Sequence, residues 1–390
     1  MKLTVRKQDF LEKLMRTQYV HEKKSTLDIT GCVLLTTREK EIEIIATDLE
    51  TNFRDYCPAD ILIDGSIAVN SKKLLEVVRG IIGNNVTLEM TPEENILVVE
   101  GGKSVFRLPT RSPEDFPYTP FFDDHELIQM EAPEFKTMID KVLFSVPTRR
   151  TRSNIAGLVI KENVQPGETE EGTRIVSLEL FSIDIHRMVR IVRDFEMPQP
   201  LDISDGIVVP KRSAQELSNI LQDAEMFHIG VSDNSLVVRK GSCSLTIRLL
   251  NFEVPQLNMS PLKNTPYNIQ VDREHLLEVV KRIAVMTSED YRHVTVTVSN
   301  SFISLSINNP GVGAADEDLE VVYSGPTMNF TFNVRYMIEA ISNLESETIN
   351  IGIIKEDGPF IFTGENDKGY ISLLMPLVLI SESEEEIPEE

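Results

Sequence analysis

Three stretches of this chain share one pattern: an extended apolar start, a polar or proline break, and an amphipathic helix. They are LTVRKQDFLEKLM from Leu3, IQMEAPEFKTMIDKV from Ile128 and IQVDREHLLEVVKRI from Ile269. Val5, Met130 and Val271 occupy one equivalent place and Phe10, Phe135 and Leu276 another, spaced by 125 and 141 residues. The pairs Phe10 and Leu14, Phe135 and Ile139, and Leu276 and Val280 stand at i and i+4, so each set lies on one helical face. A second set lies between these: IAVNSKKLLEVV from Ile67, IVVPKRSAQELSNIL from Ile207 and FTFNVRYMIEAISNL from Phe330, in which Val69, Val209 and Phe332 correspond. Alternating runs such as GCVLLTT, EIEIIAT, HVTVTVS and FISLSIN follow the helices and predict strands. The chain is therefore read as six copies of one strand, helix and strand-meander unit, two per domain.

This repeat predicts an α+β fold of three similar domains, each with two helices packed on curved antiparallel sheets. A length of 390 residues with 41% apolar composition suits several globular domains. Proline-rich, aperiodic stretches at Pro113 to Glu126 and Asn258 to Pro266 read as linkers, giving domains at 1–122, 127–256 and 266–380. The tail 381–390, SESEEEIPEE, carries six glutamates and is expected to be disordered. No apolar run approaches a membrane span and Met1 to Asp9 holds no signal-peptide core, so a cytoplasmic protein is expected. Cys32, Cys57 and Cys243 lack any CxxC spacing and are expected to be small buried hydrophobes.

A net charge of −23 argues at first against nucleic acid as a partner. The six predicted helices together carry +5, however, which leaves −28 for the remainder. Basic side chains are thus gathered on the elements that could line a ring, while an acidic exterior repels non-specific contacts. Helices about 10 Å apart leave too small a hole when six close a circle, but twelve leave a lumen of about 28 Å, wide enough for duplex DNA. A head-to-tail homodimer supplies twelve.

At this point the residues resemble a known family, the beta subunit of bacterial DNA polymerase III, the sliding clamp. The resemblance runs to about Leu379. It is carried by MKLTVRKQDFLEKL, STLDITGCVLL, ATDLE from Ala46, EDFP from Glu114, DIHR from Asp184, INNP from Ile307, VVYSG from Val321, FNVRYM from Phe332 and GYISLLMPL from Gly369. It implies a dimeric ring that encircles double-stranded DNA without reading its sequence, tethers the replicative DNA polymerase, and is loaded by a clamp loader. It implies no cofactor, no metal and no catalytic residue. The positions matching the family's DNA contacts are Lys24, Lys72, Lys73, Arg149, Arg150, Arg152 and Arg212. Ser153 and Asn154 stand where the family often has aromatic residues.

The resemblance further implies a groove that captures clamp-binding peptides of many partners. Its walls would come from Ile155, Met188, Pro255, Leu374, Met375, Pro376 and Leu377, and its polar edge from His186, Arg187, Asn333 and Tyr336. Ile185, Val378 and the stretch NFEVPQLNM depart from the family pattern. For the subunit contact the matching positions are Val77, Ile81, Phe106 and Leu108, facing Val285 and Met286; Phe106 alternates within a strand and reads equally as core. The tail is expected either to screen the groove or simply to aid solubility.

Ser182, Asp184 and His186 alternate along a strand in a way that resembles a catalytic triad. Asp184 occupies the same place in the repeat as Asp48, where a turn is expected, and no GxSxG, HExxH or Walker A accompanies it. A metal-dependent hydrolase therefore has no motif to support it. A scaffold that uses the groove without encircling DNA differs from a clamp only in the inner-helix charge.

Overall fold

The computed structural model describes residues 1–18, 20, 28–91, 95–117, 127–147, 156–167, 172–232, 234–262 and 264–377. Among these the unit recurs six times as strand, helix and three strands. The first repeat is β1 (Lys2–Arg6), α1 (Lys7–Thr17), β2 (Cys32–Arg38), β3 (Glu41–Thr47) and β4 (Thr51–Ile63); the second is β5 (Ser66–Asn70), α2 (Ser71–Gly80), β6 (Asn85–Thr91), β7 (Ile96–Gly101) and β8 (Ser104–Arg111). The third is β9 (Ile128–Glu131), α3 (Ala132–Leu143), β10 (Gly157–Val164), β11 (Arg174–Ile183) and β12 (Arg187–Met197); the fourth is β13 (Ile207–Pro210), α4 (Lys211–Leu221), β14 (Met226–Ser232), β15 (Ser235–Lys240) and β16 (Cys243–Arg248). The fifth is β17 (Tyr267–Asp272), α5 (Arg273–Ala284), β18 (His293–Ser299), β19 (Phe302–Asn309) and β20 (Gly313–Glu320); the sixth is β21 (Met328–Asn333), α6 (Val334–Ser342), β22 (Thr348–Ile353), β23 (Phe360–Gly364) and β24 (Tyr370–Leu374).

The equivalences drawn from the sequence are core positions. Val5, Met130 and Val271 are buried, Phe10, Phe135 and Leu276 are completely so, and Val69, Val209 and Phe332 likewise line the interior. The polar break between strand and helix is a cap. Asn70 accepts the amide of Lys73, Asp272 that of His275, and Asn333 those of Arg335 and Tyr336. A side-chain oxygen there satisfies an otherwise orphaned helix donor and is worth about 1 kcal/mol. The three cysteines are buried and form no disulfide, and burial pushes the Cys57 and Cys243 thiols up to about 12.

Contacts group the chain into two compact units. One comprises Met1–Ile139, Glu162–Val176 and Phe195–Asn251, the other Asp140–Lys161, Ser177–Asp194 and the chain from Phe252 on. Strand pairing explains this, because sheets continue from one repeat into another. In the first unit twelve strands run in the order β1, β6, β7, β8, β5, β2, β3, β4, β16, β15, β14, β9, with β1 also paired to β4. In the second, β12, β24, β23, β22 and β17 are neighbours in that order, and β20, β19, β18 and β21 form a four-stranded sheet. No helix among the described residues is long and apolar enough to cross a membrane.

The net charge of the helices is partly spent on structure. Lys7 Nζ donates to the carbonyls of Arg79 and Ile81 at the end of α2. Lys13 and Arg16 stand 3.2 and 3.1 Å from Asp55, a carboxylate with no exposed side-chain surface. Two of the three basic residues on α1 thus neutralise a buried acid, and the third caps a neighbouring helix.

Candidate functional site

Two junctions, one in each unit, are built alike. In the first, β16 pairs antiparallel with β4, Ile247 opposite Thr51 and Ser244 opposite Arg54. In the second, β24 pairs with β12, Leu374 opposite Arg187 and Ile371 opposite Arg190. An aspartate turns the chain into each pairing strand. Asp48 Oδ1 accepts the amides of Glu50 and Thr51 at 3.1 and 2.7 Å, and Asp184 Oδ1 those of His186 and Arg187 at 2.8 and 2.9 Å. Asp184 is therefore a turn residue, and Ser182 beside it is buried and bonded to Ser145, not to His186. Beyond the paired strands the match continues, since Arg248 N donates to Glu50 O and Leu250 N to Val208 O, as Met375 N does to His186 O and Leu377 N to Thr331 O.

Equivalent places then hold different side chains. Thr51 in the first junction is Arg187 in the second, Asn52 is Met188, and Ser213 on α4 is Tyr336 on α6. In the first junction Thr51 Oγ1 and Ser213 Oγ bond directly at 2.7 Å and close the space. In the second, the Arg187 guanidinium lies over the Tyr336 ring, 4.0 Å from its centroid, with Phe144 at 5.8 Å on another side. Its Nε donates to Asp184 Oδ2 at 3.3 Å and its Nη1 to Glu339 Oε2. A flat cation stacked on an aromatic face and held by two carboxylates is rigid and electrically balanced. The His186 ring stands 6.3 Å from that of Tyr336.

The expected groove residues are thus largely assembled by one set of elements. His186 is exposed, and Arg187, Asn333, Tyr336, Met375, Pro376 and Leu377 are half-buried. Met188 and Leu374 are 5% and 1% exposed, so they form floor rather than wall. Pro255 is half-buried on the segment between β16 and β17, and Ile155 lies outside the described residues. Glu339 and Phe144, which with the turn residue Asp184 hold Arg187, were not anticipated. The spacing of Glu339, four residues after Arg335, is the trace they leave in the sequence, and the two side chains do pair at 3.0 Å.

Of the expected DNA contacts, Lys72 and Lys73 are exposed on α2, with Lys73 Nζ 2.7 Å from Glu76, and Arg212 is half-buried on α4. Lys24, Arg149, Arg150 and Arg152 lie outside the described residues. At the expected subunit contact Phe106 is 37% and Val285 71% exposed, so Phe106 is not core. Val77, Leu108 and Met286 are half-buried. Ile81 is a correction: at 1% exposure it belongs to the first unit's core, and no side chain so enclosed can face a partner.

Comparison with known proteins returns one answer. Sequence models of the DNA polymerase III beta subunit match in chain order, the N-terminal domain at residues 1–120, the central domain at 129–256 and the C-terminal domain at 261–378. The Beta sliding clamp of Caulobacter vibrioides is 27% identical over 382 residues, covering 97% of this chain and all of that protein. That of Pseudomonas aeruginosa is 24% identical with the same coverage. Among solved structures, the DNA polymerase sliding clamp from Caulobacter crescentus superposes with a TM-score of 0.85 at 26% identity, over 97% of this chain and 100% of that one. The Bacillus subtilis clamp, 21% identical with a TM-score of 0.83, agrees in fold.

Proposed function

The chain belongs to the DNA polymerase III beta subunit family, and from that premise we propose that two copies close head to tail into a ring that slides on double-stranded DNA. It is a sliding clamp, the non-catalytic processivity subunit of a replicative polymerase, acting in the cytoplasm. We further propose three domains, at 1–122, 127–256 and 266–380, a reading supported by the three consecutive family matches.

One observation carries the closure. The last strand of the first repeat pairs with that of the fourth, and the last strand of the third with that of the sixth. Continued cyclically, the rule pairs the last strand of the fifth repeat, β20, with the last of the second, β8, in another copy. Both edges await such a partner. β20 is the outermost strand of its sheet, and β8 meets β5 only at Thr110 and Arg111, leaving the same stretch open that β16 uses for β4. Carrying the register over sets Leu108 opposite Gly313 and Phe106 opposite Ala315. It also sets Lys103, the counterpart of Ser242, beside Glu317, the counterpart of Asp55. Phe106 is exposed within one chain, as an interface core requires.

The groove around His186, Arg187 and Tyr336 is the docking place for peptides of the replicative polymerase, the clamp loader and other clamp-binding proteins. An aromatic wall with a fixed cation behind it suits one or two apolar anchors and a polar edge. Lys72, Lys73 and Arg212, with Lys24, Arg149, Arg150 and Arg152, serve as sequence-independent phosphate contacts. The test is retention on nicked circular DNA. A topologically linked ring survives high salt and leaves once the circle is cut, whereas salt-labile retention on intact circles overturns the ring, because phosphate contacts alone dissolve in salt.

A further inference from the structure

One helix position anchors a charge cluster in the first, third and fifth repeats. Arg16, Lys141 and Arg282 each stand six residues after an equivalent core residue, Phe10, Phe135 and Leu276. Arg16 lies 3.1 Å from Asp55 on β4, Lys141 2.9 Å from Asp367 between β23 and β24, and Arg282 2.6 Å from Glu317 on β20. The first two clusters sit at the internal junctions. Asp55 Oδ1 accepts from Ser242 Oγ, so α1 is tied through β4 to the turn that leads into β16, the strand paired with β4. Asp367 ties α3 to the turn that leads into β24, the strand paired with β12. Neither aspartate has exposed side-chain surface.

The third cluster follows the plan of the first, since strand register makes Glu317 the counterpart of Asp55. Arg282 grips it with a fork. Its Nε donates to both carboxyl oxygens, at 3.2 and 3.1 Å, and its Nη2 to Oε1, while Glu278 on its own helix is a looser neighbour at 3.6 Å. Within one chain, however, this acid has one cation where Asp55 has two. Lys13, 3.2 Å from Asp55, is replaced on α5 by Val279, which is fully buried in the core. The cluster is also open, for the Arg282 and Glu317 side chains are 52% and 30% exposed. Ser242, which closes over Asp55, corresponds to Lys103, an exposed residue on the β7–β8 turn. The cation that α5 lacks is therefore carried by the turn that would meet β20 in a second copy.

We propose that Arg282 is a positioning residue of the subunit contact. It holds the Glu317 carboxylate at the edge of β20, and Lys103 of a second copy completes a cluster of two cations and one acid like that at Asp55. The assignment rests on the strand register proposed for the ring and goes beyond it, because it gives a role to a side chain on α5 that acts through Glu317. A planar fork leaves the carboxylate one orientation, so the arriving lysine meets an acceptor that is already ordered, and less freedom is lost on association. A lysine at 282 is a point charge and lacks the fork. In the single chain the pair is exposed and adds little to stability. Once the second copy excludes water from it, the same charges interact more strongly.

Sedimentation equilibrium of the full chain at moderate salt tests this through the dimer dissociation constant. Arg282→Gln should weaken the dimer about tenfold, and Arg282→Lys should recover little of that loss. The decisive readout is a double-mutant cycle with Lys103→Gln, which should cost about tenfold in the wild type and less than about threefold in Arg282→Gln, since an unheld Glu317 no longer awaits the lysine. Losses that simply multiply overturn the proposal, as does full recovery by Arg282→Lys. A dimer unchanged or tightened by Arg282→Gln also overturns it, and if Lys103→Gln and Glu317→Gln still weaken association, the register stands and only the role of Arg282 fails. If Lys103→Gln and Glu317→Gln leave the constant unchanged as well, the register itself is wrong and the assignment falls with it.

Discussion

The guanidinium of Arg187 stacks on the ring of Tyr336, 4.0 Å from its centroid, and this contact joins the start of β12 to α6 across 149 residues of chain. The same guanidinium meets Asp184 and Glu339, so one side chain fixes a turn, a strand and a helix together. The groove is rigid because its central cation has no rotamer left to choose. It is also electrically balanced by those two carboxylates.

Replacing Arg187 by Met should accordingly cost about 3 to 5 kcal/mol, the usual penalty for removing one member of a buried charge cluster. The Arg187 side chain is only 11% exposed, so solvent screening does little to reduce the effect. Adding Glu339→Gln in the same chain should recover part of the loss. Urea midpoints of the single and double variants check this, and a double variant no better than the single one would show that Glu339 is not the partner that matters.

Tyr336 is half-buried and forms wall rather than floor. Tyr336→Ala should weaken a peptide bearing glutamine, leucine and a terminal apolar residue by about tenfold, or 1.4 kcal/mol, with a small change in melting temperature. Met188→Lys should behave differently. At 5% exposure it buries a cation in the floor, so melting temperature should fall first and binding with it. Calorimetry beside thermal unfolding distinguishes the two.

The dimer contact offers a charge exchange. Lys103→Asp should shift the sedimenting species from about twice 44.1 kDa towards a single chain, and adding Glu317→Lys should restore it. Phe106→Asp should give monomers outright by placing a charge in the closing strand pair. A Lys103→Asp chain that stays dimeric, or one that Glu317→Lys fails to rescue, removes the register carried over from the two internal junctions.

Most of the fold was legible because the repeat is written in large apolar residues at fixed spacing. Phe10, Phe135 and Leu276 mark three helices regardless of what surrounds them. Ranges failed where propensity is weak. β4 runs through Thr51–Ile63 with a proline and two aspartates inside it, and only its pairing on both sides makes it a strand. Arg187 and Tyr336, both named through the family resemblance, touch in the structure, yet Glu339 and Phe144 beside them were not foreseen, because side chains that act through another residue carry no motif. Nor could helix charge reveal that Lys13 and Arg16 are engaged by Asp55, since the partner is 39 residues from Arg16 in the chain.

Acid should act on the second unit through Asp367. Lys141 Nζ lies 2.9 Å from Asp367, and that carboxylate also accepts from Ser346 Oγ and from the amides of Glu345 and Ser346. Burial pushes its pKa up, but the bonds from Ser346, Lys141 and the two amides outweigh it and hold it below 3.8. The sign follows: stability from this site is present above the unfolded value and is lost as pH falls through the lower folded one. Asp367→Asn should therefore be less stable than wild type at neutral pH, with the gap narrowing below about pH 4 in urea titrations. A constant gap at all pH values would assign the loss to packing.

The acidic segment 381–390 lies outside the described residues, but what it would have to displace is visible. For its glutamates to occupy the groove they need a cation, and Arg187 and Arg335 are already engaged. Arg187 is held by Asp184 and Glu339, and Arg335 by Glu339 at 3.0 Å. An incoming carboxylate would exchange one ion pair for another and gain little, and any exposed remainder is screened within about 8 Å at physiological salt. Truncation after Ile380 should therefore leave peptide affinity unchanged within about twofold at low and at moderate salt, since exposed ion pairs contribute only about 0 to 1 kcal/mol. It should also lower solubility, because six of the 62 acidic residues are lost. Calorimetry on the truncated and full chains checks this. A clear gain in affinity on truncation, larger at low salt, would mean that the tail competes for the groove and that the Arg187–Glu339 pair opens to admit it.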